Sequence, residues 1–109
     1  MSKKSIPKEV KALLDERVKA FNEKVIGNPN VYYLTRYRGR YLYLDRFDYG
    51  RKGAICRLSY DGDINDLEFA IFKYSSEKYD PDEWMFPGSG NIDGTVEGAM
   101  RAGLEAYSA

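Results

Sequence analysis

Arginines and tyrosines alternate along one stretch of this chain, and their side chains are suited to binding. The stretch runs from Val31 to Lys52 and reads VYYLTRYRGRYLYLDRFDYGRK. Aromatic rings offer stacking surfaces, and a guanidinium group can neutralise an anion or lie over a ring in a cation–π contact. The candidate binding surface comprises Arg36, Arg38, Arg40, Tyr41, Tyr43 and Arg57, and it is bordered by Trp84.

The residues that most often carry catalysis are scarce in this chain of 109 residues. It has no histidine, which excludes Ser-His-Asp and Cys-His mechanisms and mixed Cys/His zinc sites. Cys56 is the only cysteine, so no intrachain disulfide can form. An enzyme would have to use carboxylates and tyrosines around residues 79–93, where no acidic pair stands out. We therefore expect a protein that is not an enzyme, and we predict no cofactor and no metal site.

Two short motifs imitate ligand-binding loops. Residues 61–66, DGDIND, begin like a calcium loop, but Asp66 stands where glycine is needed and Phe72 where glutamate is needed. Residues 88–94, GSGNIDG, precede a predicted helix as phosphate-binding loops do, but no buried strand precedes them and nearby acidic groups would repel an anion. Both motifs are predicted to be turns, with Asp93 capping the following helix.

The net charge of zero hides an uneven distribution. Residues 1–60 contain 14 Lys/Arg and 6 Asp/Glu, a balance of +8, whereas residues 61–109 contain 3 and 11, a balance of −8. This asymmetry indicates either a polyanionic partner or attraction between the two halves of the molecule.

Two helices are predicted from the spacing of apolar residues. Residues 7–26 place apolar side chains on one face at intervals of three and four, namely Val10, Leu13, Leu14, Val18, Phe21 and Val25. Residues 94–107 form the second helix. Gly98 and Gly103 lower its stability by ~1 kcal/mol each relative to alanine, so we expect them to allow a close approach to the sheet.

A β-hairpin is predicted over residues 31–48 because Gly39-Arg40 fits a two-residue type II′ turn. This turn places Arg38 opposite Tyr41 and Arg36 opposite Tyr43. Alternation then separates two faces of the hairpin. The core face carries Val31, Tyr33, Thr35, Tyr37, Leu42 and Leu44. The second, here named the Arg/Tyr face, carries Tyr32, Leu34, Arg36, Arg38, Tyr41, Tyr43 and Phe47.

Two further strands are predicted over residues 54–60 and 66–74. Cys56 should face the core together with Ala54 and Leu58, because the three alternate. Residues 75–92 are predicted to be a long ordered loop. Its apolar residues Trp84, Met85 and Phe86 should hold it against the body of the protein.

These elements predict a single α+β domain over residues 1–109, in the order α-β-β-β-β-α. We expect a four-stranded antiparallel sheet with both helices packed on one face, and a disordered tail at residues 1–5. The sequence leaves open whether residues 75–92 cover the Arg/Tyr face. No apolar run approaches the ~20 residues that a membrane span needs, so we expect no membrane partner and a cytoplasmic location.

The function predicted from these features is that of a small soluble binding or interaction module. Its partner would be another protein or a second copy of the chain. One alternative is weak single-stranded nucleic-acid binding through the Arg/Tyr face, which is not favoured over ordinary cross-strand pairing on a solvated sheet. The other alternative is the small enzyme using carboxylates and tyrosines around residues 79–93.

Overall fold

The fold is α+β, with one α-helix before the strands along the chain and one after them. The computed structural model describes residues 5–108, so the predicted tail lies outside the described residues except for Ser5. In chain order the elements are α1 (Lys8–Phe21), a π-helical turn (Asn22–Ile26), β1 (Val31–Arg38), β2 (Tyr41–Asp48), β3 (Arg51–Ser59), β4 (Glu68–Lys73), β5 (Lys78–Asp80), a 3₁₀ turn (Ser89–Asn91) and α2 (Val96–Ala106). Within residues 5–108 the strands form one antiparallel sheet in the order β1-β2-β3-β4-β5.

The predicted hairpin register is confirmed. Arg38 lies opposite Tyr41 and Arg36 opposite Tyr43, and the β1–β2 pairing continues without a shift to the far end of both strands. Gly39 has a φ of +59°, whereas Arg40 is not among the residues with positive φ. This combination fits the type II′ turn, in which only the first central residue needs positive φ.

The predicted strand number is wrong, because the sheet has a fifth strand. β5 lies inside the predicted loop 75–92 and pairs with Ile71–Lys73 of β4. Its three residues, KYD, carry no alternating apolar pattern that would reveal a strand. A strand this short is specified by pairing with its neighbour and by the preceding turn, where Glu77 has a φ of +55°.

A β-bulge in β3 overturns one face assignment. Cys56 pairs with Leu44, but Asp45 pairs with Ala54, so Ile55 is an extra residue in β3. An extra residue reverses the alternation on one side of it. Cys56 is fully buried in the core as predicted, whereas Ala54 lies on the opposite face of the sheet.

The helices contribute a narrower apolar stripe than predicted. Leu14, Val18 and Phe21 of α1 are buried, but Leu13 is 52% exposed and Val25, in the π-helical turn, is 44% exposed. The side chain that caps α2 is that of Thr95, whose hydroxyl accepts from Gly98 N–H, and not that of Asp93 as predicted. Neither helix within residues 5–108 is long and apolar enough to cross a membrane.

Contacts between the helices and the sheet use tyrosines of β1. The Tyr37 hydroxyl donates to the carboxylate of Asp15 in α1 at 2.7 Å, and the Tyr33 hydroxyl donates to the carbonyl of Met100 in α2 at 2.7 Å. The predicted close approach to the sheet is confirmed at Gly103 and is wrong for Gly98, which lies against Asn91 and Asp93 before α2. A methyl group at Gly103 would lie 2.5 Å from both the Tyr33 hydroxyl and the Ile55 side chain.

Arg46 is a buried arginine that the sequence analysis did not assign. Its side chain is 1% exposed and lies on the core side of β2. The guanidinium donates to the carbonyl of Gly103 at 3.1 Å, to that of Tyr107, and to the carboxylate of Asp48 at 2.8 Å. Cations are stabilised at helix C-termini, where carbonyl groups lack helical partners, so Arg46 joins the end of α2 to the sheet.

Candidate functional site

The hairpin half of the Arg/Tyr face is organised around Arg36. Its guanidinium lies 4.5 Å from the centre of the Tyr43 ring and makes two hydrogen bonds to the buried carboxylate of Asp45, at 3.2 and 3.4 Å. The hydrogen bonds that Arg36 donates to Asp45 raise the pKa of Arg36 above its ordinary value. Asp45 therefore offsets part of the charge of Arg36, whose side chain remains half exposed.

A second cluster forms around Tyr41, beside the β1–β2 turn. The guanidinium of Arg57 lies 4.6 Å from the Tyr41 ring centre, and that of Arg40 lies 5.1 Å from it. Within residues 5–108, neither guanidinium has a carboxylate or hydrogen-bond partner, and the Nε atom of Arg57 is buried without one. These two predicted site residues therefore keep their charges available.

Aromatic residues of β4 and β5 extend this surface, and neither was among the predicted site residues. The Tyr79 ring lies 5.2 Å from that of Tyr43, 4.9 Å from that of Phe72 and 5.6 Å from the Arg57 guanidinium. Burial raises the pKa of Tyr79, and a hydrogen bond from Arg36 opposes that rise. The segment 75–92 thus adds a strand and a ring to the Arg/Tyr face.

A pocket of about 510 Å³ opens between the Tyr41 cluster and the chain that follows β5. Its lining includes Arg40, Tyr41 and Arg57, together with Trp84. Its remaining lining consists of Ser59, Asp66, Leu67, Glu68, Phe69, Ala70, Pro81, Ile92, Asp93 and Gly94. The pocket therefore combines cations, aromatic surface and acidic groups.

No family model, curated protein or solved structure matches this chain.

Three predicted site residues, Arg36, Arg38 and Tyr43, do not line this pocket. Arg38 is exposed, and no carboxylate or ring contacts its guanidinium within residues 5–108. Trp84 is 58% exposed and Met85 is 90% exposed, so the prediction that they hold the segment down is wrong. Phe86 alone of the three packs inward, with its ring stacked 5.9 Å from that of Phe69.

The acidic groups near the pocket have a structural arrangement. Asp93 accepts hydrogen bonds from the backbone and hydroxyl of Thr95, at 3.1 and 2.6 Å, and these bonds lower its pKa. The carboxylate thus holds the residue that caps α2. In the part of the chain that the structure describes, no three His, Cys, Asp or Glu side chains form a group that could hold a metal ion.

Proposed function

We propose that this chain is a non-enzymatic interaction module that docks an acidic segment of a protein partner in the pocket beside Tyr41. In this proposal both helices pack on the other face of the sheet and leave the Arg/Tyr face accessible. The observation that carries it is the pair Arg40 and Arg57, stacked on Tyr41 without a carboxylate partner within residues 5–108.

The energetics of Arg57 favour an anionic occupant. A carboxylate entering the pocket would accept from this guanidinium and form a charge-assisted hydrogen bond. The exposed ring of Trp84 also lines the pocket, and Trp, Tyr and Arg are the residues enriched among energetically dominant interface contacts.

The ring geometry makes single-stranded nucleic acid the weaker candidate. Base stacking requires free ring faces. The guanidinium of Arg36 lies over the Tyr43 ring, and those of Arg40 and Arg57 lie over the Tyr41 ring. The Tyr79 ring packs edge-on, at interplanar angles of 64° to Tyr43 and 65° to Phe72. Trp84 is the exposed ring that remains at the pocket.

The enzyme alternative around residues 79–93 draws less support from its titratable groups. A general base or acid works best with a pKa near the working pH. The pKa of Tyr79 is raised and that of Asp93 is lowered, so both shifts lead away from neutrality. We therefore propose binding as the role of this region.

The proposal is tested with Trp84 fluorescence, because Trp84 is the only tryptophan in the chain. The probe is a peptide of Glu-Pro-Leu repeats, whose prolines prevent strand pairing, and its matched control has Gln-Pro-Leu repeats. We expect the acidic peptide to bind and the neutral one to bind at least ~tenfold more weakly, as expected for charge-assisted bonds of about 1.5–3 kcal/mol. Arg57→Gln should weaken binding, whereas Arg51→Gln, outside the pocket, should not.

An oligothymidylate titration at low and moderate salt separates the alternatives. Tighter binding of the oligonucleotide than of the acidic peptide, with a steep loss as salt rises, would favour the nucleic-acid alternative. Equal binding of the Glu and Gln peptides would reject the proposed role of the guanidinium groups. Light scattering at two concentrations tests whether a second copy is the partner.

A further inference from the structure

The outer edge of β1 is closed along only half of its length. The N–H of Tyr33 donates to the side-chain oxygen of Asn22 at 2.8 Å, and the Asn22 amide nitrogen donates to the Tyr33 carbonyl at 3.0 Å. The N–H of Val31 donates to the carbonyl of Asn28 at 3.0 Å. One asparagine side chain thus occupies both backbone groups of Tyr33, as a neighbouring strand would.

The other half of this edge is open. The N–H and C=O groups of Tyr33 bond to Asn22, so both groups point away from β2. The β1–β2 register is unbroken, so alternation directs the N–H and C=O groups of Thr35 and Tyr37 outward as well. No group within residues 5–108 forms a hydrogen bond with these four outward groups.

We propose that the open part of this edge, Thr35–Tyr37, binds an extended acidic peptide segment as an additional strand of the sheet. A strand added here would use the four outward backbone groups for main-chain hydrogen bonds, and its alternate side chains would determine specificity. The residues Thr35–Tyr37 do not line the pocket, so the inference does not depend on what the pocket binds.

The charges beside the edge select an acidic partner. On the Arg/Tyr face the edge is flanked by Arg36, which pairs with Asp45, and by Arg38, which has no carboxylate partner within residues 5–108. On the α1 side, Asp15 accepts from the Thr35 and Tyr37 hydroxyls at 2.8 and 2.7 Å, and Lys11 lies over the Tyr37 ring. A matching strand therefore presents acidic side chains to the arginines and small neutral ones to α1.

The same arginines disfavour pairing with a second copy. In an antiparallel β1–β1 pair, outward residues must meet outward residues. If the two-fold axis of the pair passes by Arg36, Arg36 of one copy lies opposite Arg36 of the other. If the axis passes by Tyr37, Arg36 of one copy lies opposite Arg38 of the other. Like charges directly opposite each other are destabilising. An axis that passes by Thr35 avoids this clash but needs the backbone of Tyr33, which Asn22 already occupies.

Amide hydrogen exchange in the free protein tests whether the edge is open. We expect the N–H groups of Thr35 and Tyr37 to exchange at least ~tenfold faster than those of Leu34 and Arg36, which point into the β1–β2 ladder. Addition of a Glu-Thr repeat peptide should slow exchange at Thr35 and Tyr37. Slow exchange at these two amides in the free monomer would overturn the inference.

A pair of variants at Thr35 isolates the backbone contribution. Thr35→Pro removes an outward N–H without removing a β1–β2 hydrogen bond, and Thr35→Val removes the same hydroxyl but keeps the N–H. We expect the proline variant to bind the Glu-Thr peptide at least ~tenfold more weakly than the valine variant, from loss of backbone bonding and edge geometry. Equal binding by both variants would overturn the inference.

Charge reversal at an exposed position keeps the test valid even if Thr35→Pro unfolds. Arg38→Glu should weaken binding of the Glu-Thr peptide and strengthen binding of a Lys-Thr peptide, each by about two- to fivefold, as expected for cross-strand charge pairs. An unchanged preference contradicts the inference. Arg57→Gln should leave this binding unchanged, so failure at the edge and failure at the pocket are separable.

Discussion

The guanidinium of Arg46 connects the C-terminus of α2 to β2. It replaces water at the carbonyls of Gly103 and Tyr107, and Asp48 balances its charge. Burial has the largest single effect on the pKa of Arg46 and lowers it. The hydrogen bond to Asp48 acts in the opposite direction, and the pKa of Arg46 is raised overall. The sequence offered a signal for this residue, because Arg46 continues the core-face alternation of Leu42 and Leu44.

Replacing this arginine should destabilise the protein strongly. Arg46→Ala would leave the carbonyls of Gly103 and Tyr107 and the Asp48 carboxylate without their donor, and breaking such a buried arrangement costs about 3–5 kcal/mol. Chemical denaturation monitored by circular dichroism measures the change. Arg51→Ala, at an exposed arginine, should change the free energy of unfolding by less than ~0.5 kcal/mol. A similar small change for Arg46→Ala would contradict the assigned role.

The thiol of Cys56 should be inert in the folded protein. It is fully buried, and burial raises its pKa because the thiolate is disfavoured in apolar surroundings. We expect a thiol reagent at pH 8 to label the native protein only at the rate at which it unfolds. The protein in denaturant serves as the control and should react at once. Rapid stoichiometric labelling of the native protein would contradict the burial of this thiol.

At the scale of elements, the contact between α2 and the sheet requires a residue without a side chain, Gly103. Gly103→Ala would improve helix propensity by up to ~1 kcal/mol. The added methyl group would also lie 2.5 Å from Ile55 and Tyr33, and overpacking of this kind costs about 1–3 kcal/mol. We expect the net effect to be destabilising in thermal unfolding.

Gly90 provides the matched control for this substitution. Its added methyl group would meet nothing within 4 Å, and its φ is outside the positive region. Gly90→Ala should therefore leave the melting temperature within about 2 °C of the parent, which corresponds to a few tenths of a kcal/mol in a domain of this size. If Gly103→Ala raised the melting temperature instead, the close approach of α2 to the sheet would be wrong.

Local signals explain which elements the sequence could predict. The β1–β2 register follows from Gly39-Arg40, a turn whose geometry fixes every pair up to Val31 and Asp48. β5 has no such signal, because its three residues become a strand only through pairing with β4. The bulge at Ile55 has none either, since Ala54, Ile55 and Cys56 satisfy two alternation patterns equally well.

The candidate site was predictable to a similar extent. Alternation brings Arg36 and Tyr43 together within one hairpin, and the structure has this contact. The contacts of Arg57 with Tyr41 and Tyr79 join three strands, and the pocket needs the return of the chain to Trp84. Such long-range placement depends on β5 and the bulge, which are the two features that lacked a local signal.

At the scale of the molecule, most ion pairs within residues 5–108 lie inside one half of the chain. Arg17 and Glu97 join the halves, whereas Arg36–Asp45 lies within the basic half and Lys73–Asp80 within the acidic one. Attraction between the halves therefore accounts for little of the asymmetry within residues 5–108. Unpaired cations of the first half remain available to partners, which is the premise of both proposals above.

The ion pair that joins the two halves within residues 5–108, Arg17–Glu97, should make stability depend on pH. Arg17 in α1 donates from Nε to Glu97 in α2 at 2.8 Å, and this hydrogen bond lowers the pKa of Glu97 below its ordinary value of 4.5. A carboxylate with a lowered folded-state pKa adds stability above its unfolded pKa and loses it as the pH falls through the folded value. Because both side chains are about one-third exposed, we expect only ~0.5–1 kcal/mol.

A double-mutant cycle separates this contact from general acid effects. Glu97→Gln should remove the stabilisation at pH 7 and flatten the loss of stability between about pH 5 and pH 3, and Arg17→Gln should have no further effect in its presence. Glu16→Gln, at an exposed glutamate of α1, should keep the parental pH profile. Additive losses from Arg17→Gln and Glu97→Gln would mean that the two side chains stabilise the fold separately, and that no direct pair holds the basic half to the acidic half through α1 and α2.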